Sequence, residues 1–317
     1  MKDAINSTAP KVYIIVLNWN GWQDTLECLG SLLRLNYPDF RVVVVDNGST
    51  DESVTRISAW IAGKDHCVLL PAKENRGYAA GNNIGLRWAL DQGDLAYAWL
   101  LNNDTVVHPD ALKHLVRRMQ EKPGAGICGS AVLQYHDRGR IASLGEVYDR
   151  WQAQGYQLEA NKPYDPKAIE KYKKLERRID YIVGAAMFVS REFLRDIGLL
   201  CEDYFLYFEE IDWATRARGR YSLALAPESI VYHKTAESTK RQDDQAGQGG
   251  GRFSLVFDRY ITKNRLLFTA KYYPYALPTV YFSILTYIID RARVGAWANA
   301  GLIARIALDN LRGKGGS

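Results

Sequence analysis

The sequence predicts an α/β fold built around a mostly parallel sheet. Two short runs rich in β-branched residues, 12–17 and 42–45, are typical of strands buried on both faces. Between them, residues 25–35 carry leucines at helical spacing, and the pattern stops before Pro38. A strand, a helix and a second strand in this order predict a βαβ unit with parallel strands.

Two further units follow along the chain. Residues 49–52 have the pattern of a capping box, which predicts a second helix that ends near Ile61. A strand is predicted over 67–71, a helix over 81–90 and a strand over 96–101. The turns that follow the predicted strands lie where open α/β sheets bind ligands.

The pattern changes in the second half of the chain. Residues 135–178 are polar and aromatic with few periodic runs, and we interpret them as an insertion or a loosely structured loop region. Strand character returns at 179–183. The stretch 234–252 is polar and rich in glycine, which predicts a flexible loop that serves either as a lid or as a plain linker.

Composition excludes several classes of protein. Of the 317 residues, 47% are hydrophobic and 24% are charged, so the chain is neither disordered nor collagenous. The four cysteines are scattered without a CxxC pair, and no apolar signal stretch opens the sequence. We therefore expect a cytoplasmic protein without a disulfide framework.

Charge is distributed unevenly, with a net charge of +5 concentrated near the C-terminus. Residues 252–317 contain ten Lys and Arg against three Asp, which leaves 31 basic and 33 acidic residues in 1–251. We therefore divide the chain into a catalytic domain, 1–251, and a basic, aromatic-rich helical tail, 252–317. The tail's charge suits an anionic surface such as a membrane or a nucleic acid.

The tail contains an uncharged stretch of membrane-spanning length, residues 272–289. We expect Pro274 and Pro278 to break it, leaving only 279–289, with several tyrosines. This favours a helix that lies on the inner face of the cell membrane over one that spans it. A helical cap on the catalytic domain, or a contact in a homodimer, is the alternative.

Acidic side chains follow the predicted strands. Asp46 is placed to bind a ribose or base, or else is a turn aspartate. Asp104 is placed to hold a divalent cation through oxygen, or again to make a turn. His233 ends another apolar run, where a neutral imidazole can complete a metal site or serve the fold alone.

Three carboxylates, Glu209, Glu210 and Asp212, stand inside an aromatic run. Burial there raises a carboxyl pKa, which a general base needs, unless the acids merely complement the N-terminus of a helix. The sequence has no GxxxxGK[ST], HExxH or GxSxG motif, so P-loop ATPases, zincins and α/β-hydrolases lose their main support.

Taken in order, these motifs resemble those of family 2 glycosyltransferases with the GT-A fold, and more narrowly the bacterial rhamnosyltransferase-like members. The resemblance covers about 12–233 and rests on residues 12–20, 42–51, 74–82, 100–104, 184–187 and 208–212, with Arg216 and His233.

The resemblance implies an inverting transferase that uses Mg²⁺ or Mn²⁺. The implied donor is dTDP-rhamnose or a UDP-linked sugar, and the implied acceptor is a lipid-linked or polysaccharide glycan. We expect no nucleic-acid partner. Residues 135–178 would shape the acceptor site, with Trp151 and Tyr156 as candidates for stacking on a sugar. A non-catalytic module that binds nucleotide or glycan is the alternative function.

The resemblance also assigns roles to individual residues. The implied donor contacts are Leu17, Asn18, Asn20, Asp46, Asn75, Gly77, Asn82, Asn102 and Asn103. Asp104 matches the last acid of the family's DxD motif and would bind the metal with His233, but Asn102 replaces the first acid. Glu210 matches the catalytic base, with Glu209 as the alternative and Asp212 beside them. Arg216 is expected to pair with Asp212.

Overall fold

The computed structural model describes residues 9–234 and 253–313. The glycine-rich stretch, for which we expect a lid or a linker, lies outside the described residues apart from Lys234. In chain order the strands are β1 (Val12–Asn18), β2 (Phe40–Asp46), β3 (Cys67–Pro71), β4 (Tyr97–Asn102), β5 (Thr105–Val107), β6 (Ala125–Gln134), β7 (Ile141–Ser143), β8 (Glu146–Asp149), β9 (Gln154–Gln157), β10 (Ala186–Ser190) and β11 (Ser222–His233).

The helices lie between and after these strands. They are α1 (Trp22–Leu32), α2 (Ser53–Ile61), α3 (Gly77–Asp91), α4 (Ala111–Glu121), α5 (Ile169–Lys173), α6 (Arg191–Ile197), α7 (Glu209–Ala217), α8 (Leu255–Tyr272), α9 (Leu277–Arg293) and α10 (Trp297–Leu311), with 3₁₀ turns at Lys174–Arg178 and Pro274–Ala276.

One large sheet organises the described residues, with strand order β3-β2-β1-β4-β10-β6-β11-β5 and β7 paired to β6. Strands β1 to β4 pair in parallel, as do β6 and β11. Strand β10 is antiparallel to both β4 and β6, so these two strands point the same way. The predicted α/β fold with a mostly parallel sheet and C-terminal helices is confirmed.

The first strands are buried on both faces, as their β-branched composition predicts. Tyr13 and Ile15 of β1 join one hydrophobic cluster, whereas Val12, Ile14 and Val16 join the cluster on the other face. Adjacent residues of a strand point to opposite faces, so helices must cover both sides of this sheet.

The prediction that residues 49–52 form a capping box is wrong. Helix α2 begins at Ser53, and its N-cap residue, Glu52, makes no side-chain capping hydrogen bond. The hydroxyl of Ser49 instead donates to Asp46 Oδ2 over 2.6 Å and accepts from the Asn20 backbone N–H over 2.9 Å. The Ser49 hydroxyl therefore bonds to the end of β2 and to the loop after β1 instead of capping α2.

The second half also differs from expectation in two places. Residues 179–183 form no strand, because their only ladder contact is a single bridge from Tyr181 to Glu146, and the strand begins at Ala186. Residues 135–178 are ordered rather than loose. They form β7, the antiparallel hairpin β8–β9, helix α5 and a 3₁₀ turn.

The tail packs on the catalytic domain through α8. Phe268 is fully buried and lies in one cluster with Tyr204, Phe208 and Ile211 of the domain. Asp258, also fully buried, accepts hydrogen bonds from side chains of the two following helices, at Tyr287, Arg291 and Asn299. The tail therefore forms the helical cap that the sequence left open as the alternative, and this cap includes α9 and α10.

Pro278 does not break the helix of the tail. It stands in the first turn of α9, where its missing N–H leaves no helical bond unmade, and Pro274 occupies the preceding 3₁₀ turn. Across 9–234 and 253–313, no helix is both long enough and apolar enough to cross a bilayer.

Candidate functional site

Three parallel strands bring their carboxyl ends to one edge of the sheet. Asn18 at the end of β1 pairs with Asp46 of β2, and Leu17 pairs with Asn102 of β4. The predicted site residues of these strands therefore meet, as parallel pairing requires.

Asp46 lies beneath this edge rather than on it. Its Oδ2 accepts from Asn18 Nδ2 over 2.7 Å, and its Oδ1 accepts from the Ser49 backbone N–H over 3.0 Å. Asp46 and Asn18 are both fully buried. Their contacts are those of a turn aspartate and its support, the alternative that the sequence left open.

Asn20 likewise organises the neighbouring loop. It has a positive φ of 48°, and its Oδ1 accepts from the backbone N–H groups of Thr50 and Asp51 over 2.8 and 3.3 Å. An asparagine tolerates this left-handed conformation better than most residues. Asn20 thus holds the loop after β2 against the loop after β1.

A small cavity of about 110 Å³ opens at the strand ends. Six of the predicted donor and metal residues line it, namely Leu17, Asn75, Gly77, Asn102, Asn103 and Asp104. Asn82 does not, because it is buried inside α3 and donates through Nδ2 to the carbonyl of Tyr78. The cavity is thus lined by five of the nine predicted donor residues, and Asn82, like Asn18, Asn20 and Asp46, does not line it.

The backbone conformation at Gly77 and its contact with the 205–208 loop require a glycine, whether or not a nucleotide approaches it. Its φ is +89°, and an added Cβ would lie 2.2 Å from the carbonyl oxygen of Phe205. The next residue, Tyr78, donates its backbone N–H to that same oxygen over 2.7 Å. The missing side chain therefore lets the 205–208 loop dock on the start of α3.

Asp104 and His233 come together although 129 positions separate them. His233 pairs with Thr105 in the antiparallel ladder of β11 and β5, and its Nε2 lies 3.1 Å from Asp104 Oδ1. The Asp104 side chain is 3% exposed and that of His233 is 16% exposed. The sequence predicted this pair, and the ladder register brings it together.

The pair suits a divalent cation in part. A carboxylate oxygen and an imidazole nitrogen are both accepted ligands, and a cation such as Mg²⁺ or Mn²⁺ commonly takes one or two side chains and fills its other positions with phosphate oxygens and water. Within the described ranges no group of three or more His, Cys, Asp or Glu side chains could enclose an ion. The residues fit a cation that is shared with a diphosphate.

A second cavity, of about 510 Å³, lies next to the first and falls within the size range of small-molecule sites. Asn102 lines both cavities. Glu209, Glu210 and His233 line the larger one, so the predicted base and one metal candidate share a single space.

The two glutamates differ in environment. Glu209 is 3% exposed, and burial, reinforced by the adjacent Glu210 charge, raises its pKa well above the usual range. Glu210 is only half-buried, and burial raises its pKa to about 7, with backbone N–H groups, including that of Gly184, opposing the rise. Glu210 is the carboxyl that changes charge near neutral pH.

Gly184 gives Glu210 its space. An added Cβ at Gly184 would lie 3.2 Å from Glu210 Oε1, tighter than an ordinary contact. The carbonyl of Gly184 accepts from the hydroxyl of Tyr78 over 2.6 Å, which fixes this turn against α3. The glycine of the 184–187 motif therefore shapes the wall beside the base.

A strained turn presents the glutamate pair. Tyr207 and Phe208, directly before α7, have positive φ values of 69° and 79°. Bulky residues rarely adopt this conformation, which costs on the order of 1–3 kcal/mol each unless the surroundings impose it. Asn264 of α8 supplies part of that support, since its Nδ2 donates to the carbonyls of Leu206 and Tyr207, each over 2.8 Å.

Asp212 is a correction to the predicted catalytic set. It is fully buried and does not line the cavity of Glu209 and Glu210. Its Oδ2 accepts from Arg216 Nε over 2.7 Å, and its Oδ1 accepts from Lys271 Nζ and the Tyr272 hydroxyl over 2.9 and 2.7 Å. The expected pairing with Arg216 is confirmed, and Asp212 joins α7 to α8.

Sequence reasoning missed several residues of the larger cavity. Glu146, Tyr148 and Gln157 come from the β8–β9 hairpin, and Ile261 and Arg265 come from α8. Trp151 and Tyr156, the stacking candidates, do not line it, and they are 49% and 48% exposed. Aromatic content indicated that 135–178 matters, but which side chains turn inward depends on how the hairpin docks.

Comparison with known proteins finds a family model that matches more than half of the chain. The family model described as "Glycosyl transferase family 2" matches residues 13–198, more than half of the chain. An uncharacterized protein, y4gI, of Sinorhizobium fredii is 29% identical over 231 residues, which are 71% of this chain and 24% of that protein. The "Low-salt glycan biosynthesis hexosyltransferase Agl10" of Haloferax volcanii is 24% identical over 205 residues, which are 65% of this chain and 61% of that protein.

The chain thus spans about a quarter of the length of the first relative and less than two thirds of the second. Among solved structures, the mannosyltransferase PcManGT from Pyrobaculum calidifontis, in complex with GDP-Man and Mn²⁺, is similar with a TM-score of 0.57 at 18% identity. That likeness covers 96% of this chain and 81% of the mannosyltransferase. It confirms the expected GT-A fold.

Proposed function

This chain belongs to glycosyl transferase family 2, and on that premise we propose that it moves a sugar from a nucleotide-sugar donor to an acceptor hydroxyl with inversion. The observation that carries the proposal is Glu210, a carboxyl with a pKa of about 7 that lines the same cavity as His233. A general base works best when its pKa lies near the operating pH.

The chemistry follows from what the chain supplies. Glu210 takes the proton of the acceptor hydroxyl while that oxygen attacks the anomeric carbon from the face opposite the diphosphate. Such a single displacement needs one base and no enzyme nucleophile. Burial also raises the pKa of Glu209, which favours its neutral form, and a neutral Glu209 adds no negative charge that would repel the attacking oxygen.

The donor would lie at the strand ends. Asn75, Gly77, Asn102 and Asn103 line the small cavity there, beside Asp104. A divalent cation bound by Asp104 and His233 would offset the negative charge that builds on the departing diphosphate. Asn18, Asn20 and Asp46 act behind this surface by holding its loops in place.

For the donor itself we propose dTDP-rhamnose, with a UDP-linked sugar as the alternative. The motif resemblance supports the first. The similar mannosyltransferase is bound to GDP-Man, so a GDP-linked donor belongs in any test. The proposed acceptor is a lipid-linked or polysaccharide glycan.

Nucleotide binding gives the direct test of the donor. We expect UDP, dTDP or GDP with Mn²⁺ to raise the melting temperature of the full chain. At a nucleotide concentration 100 times the dissociation constant, binding should add about 2.7 kcal/mol to the free energy of unfolding. The Asp104→Asn variant should lose the Mn²⁺-dependent part of the shift, since it removes one charged ligand. Differential scanning fluorimetry with each nucleotide, with and without Mn²⁺, measures both.

Exposed Glu52, at the N-cap of α2, supplies the matched control for that series, because Glu52→Gln removes a carboxylate that lines neither cavity. It should keep the full Mn²⁺-dependent shift. The absence of a shift with every nucleotide would contradict the proposal. Binding without any transfer would favour the alternative, a module that recognises nucleotide or glycan.

We further propose that the tail contacts the membrane surface. Phe282, Leu285 and Ile289 follow helical spacing on α9 and are 68%, 50% and 40% exposed. Trp297, at the start of α10, is 70% exposed, and the nearby Arg293 side chain is 75% exposed. Exposed apolar side chains next to a cation suit an interface with anionic lipid.

The tail proposal predicts binding to vesicles. We expect the full chain to co-sediment with phosphatidylglycerol vesicles. Phe282→Ser combined with Leu285→Ser should weaken binding by about a hundredfold, because two large apolar side chains would no longer be buried in the lipid. The control is Leu33→Ser on the catalytic domain, where the side chain is 36% exposed. Equal binding by all three proteins would refute lipid contact, and a dimer that the double variant abolishes would assign the surface to a second copy.

A further inference from the structure

Arg265 is a buried cation in the wall of the candidate acceptor cavity. It lies on α8, is 1% exposed, and lines the same 510 Å³ space as Glu209 and Glu210. Lysine and arginine are almost never fully buried unless a carboxylate or another anion accompanies them.

No such partner is present among the described residues. Arg265 Nη2 donates to the carbonyl of Gln152 over 2.5 Å and to the hydroxyl of Ser283 over 2.7 Å, and both acceptors are neutral. The buried Nε has no acceptor. In 9–234 and 253–313, Arg265 forms no ion pair, whereas the buried Asp258 and Asp212 are both paired.

The surroundings keep the charge uncompensated. Burial lowers the pKa of Arg265, and only tyrosines, Tyr148, Tyr156 and Tyr287, oppose that effect. The guanidinium nevertheless stays protonated, because an arginine pKa starts above 12. Glu209 and Glu210 line the same cavity, but among the described residues neither forms an ion pair with Arg265.

We propose that Arg265 binds an anionic group of the acceptor, a phosphate or a carboxylate, and so selects charged acceptors for the reaction proposed above. A guanidinium presents five N–H donors in a planar fork that matches the oxygens of either group. Arg265 has donors left over after its two neutral contacts. The hairpin carbonyl at Gln152 and the α9 hydroxyl at Ser283 hold the fork in position.

The acceptor side is favoured over the donor side by location. The cavity that Arg265 lines is walled by the β8–β9 hairpin and α8, and its other residues include the proposed base. The donor residues Asn75, Gly77 and Asp104 line the adjoining small cavity, and Arg265 does not line it. An anion held at Arg265 would therefore belong to the molecule whose hydroxyl Glu210 deprotonates. This inference rests on the proposed function.

The test compares two anionic derivatives of glucose with neutral glucose. With the donor nucleotide and Mn²⁺ present at saturation, we would titrate the full chain with glucose 1-phosphate, glucuronate and glucose, and read affinity by calorimetry. We expect at least one of the two anions to bind roughly tenfold or more tightly than glucose, as a charge-assisted hydrogen bond implies. The anion that binds separates a phosphate-bearing acceptor from a uronic acid.

Variants separate binding from a structural role. Arg265→Gln should lose the preference for the anion, whereas Arg265→Lys, which keeps the charge, and Ser283→Ala, which keeps the charge but removes one contact that positions it, should each retain part of it. A purely structural arginine would lower the melting temperature in Arg265→Gln and Ser283→Ala without changing the preference. If Arg265→Gln does not fold, Arg265→Lys and the wild-type probe series still decide.

The result that overturns the inference is equal affinity of the wild type for glucose and both anions, or an Arg265→Gln variant that keeps the preference. A variant that instead weakens binding of the nucleotide alone would assign Arg265 to the donor and also overturn it. The nucleotides are first titrated alone, without any acceptor probe. If none of them binds in that titration, the proposed function is refuted.

Discussion

Glu210→Gln is expected to lower kcat by about 10²–10⁴-fold, the range that loss of a general base produces, while nucleotide affinity stays unchanged. The amide keeps the size of the side chain but cannot accept a proton. Since Glu210 lines the larger cavity and not the small donor cavity, the nucleotide site should be intact. Initial rates with the identified donor, together with nucleotide titrations, measure the two effects separately.

Glu209→Gln is the matched control for this substitution. Glu209 is 3% exposed and its pKa is raised well above the usual range, so burial favours the neutral form, which the amide imitates. We expect activity within a few fold of wild type. An inactive Glu209→Gln beside an active Glu210→Gln would move the base to Glu209, the alternative that the motif left open.

The pH profile gives the same assignment independently. Because the base acts when deprotonated and burial raises the pKa of Glu210 to about 7, kcat/KM of the wild type should rise with pH and level off above neutrality. The two glutamates interact, so the apparent value belongs to the pair. Glu209→Gln should keep the rising limb, and Glu210→Gln should show a low, flat profile. A wild-type rate independent of pH between 5 and 9 would contradict this role.

Asp212→Asn is expected to lower the free energy of unfolding by about 3 kcal/mol. Asp212 is fully buried between Arg216 and Lys271, and removal of its charge leaves two cations with weakened partners. Loss of one partner of a buried ion pair typically costs about 3–5 kcal/mol, and Lys271, whose side chain is 41% exposed, can recover some solvation. Urea denaturation followed by circular dichroism measures the change.

The comparison for Asp212 is an exposed pair of the same spacing. Glu52 and Arg56 also stand four residues apart, but their side chains are 65% and 52% exposed, so Glu52→Gln should cost only about 0.3–0.5 kcal/mol. Equal losses of unfolding free energy in the two variants would show that the contacts of Asp212 between α7 and α8 add no more stability than an exposed ion pair. A folded Asp212→Asn with greatly reduced kcat would restore Asp212 to the catalytic set.

The tail contributes more to the site than its charge suggested. The boundary drawn at 251–252 followed composition, yet Ile261 and Arg265 of α8 line the cavity, and Asn264 supports the turn before Glu209. The division into 1–251 and 252–317 stays a prediction about folding units. The packing shows that α8 completes the wall of the catalytic domain.

Local patterns were sufficient for the strands and for several site residues. Runs of β-branched residues predicted β1 and β2, and parallel pairing then placed Leu17 and Asn102 together at one edge. The motif order predicted the Asp104 and His233 pair, which the ladder of β5 and β11 brings within 3.1 Å. These features depend on short-range residue patterns and on strand direction, and both can be predicted from the sequence.

Local patterns failed where distant segments compete for one group. Ser49 reads as a helix cap, but Asp46 and Asn20 engage its hydroxyl. Asp212 reads as part of an acidic catalytic cluster, but Lys271 and Tyr272 of α8 bind it. In both cases one partner lies on another segment, Asn20 for Ser49 and α8 for Asp212, so only packing decides between the two roles.

The sequence alone therefore predicted the fold class, the family resemblance and the chemical types at the strand ends, because each is carried by residue spacing within a few turns or strands. The tertiary structure decided which carboxylates reach a cavity and which support the framework, because burial and hydrogen-bond partners set a pKa and an orientation. Glu210 and Arg265 show this most clearly. Both owe their proposed roles to the docking of α8 and the β8–β9 hairpin around one cavity.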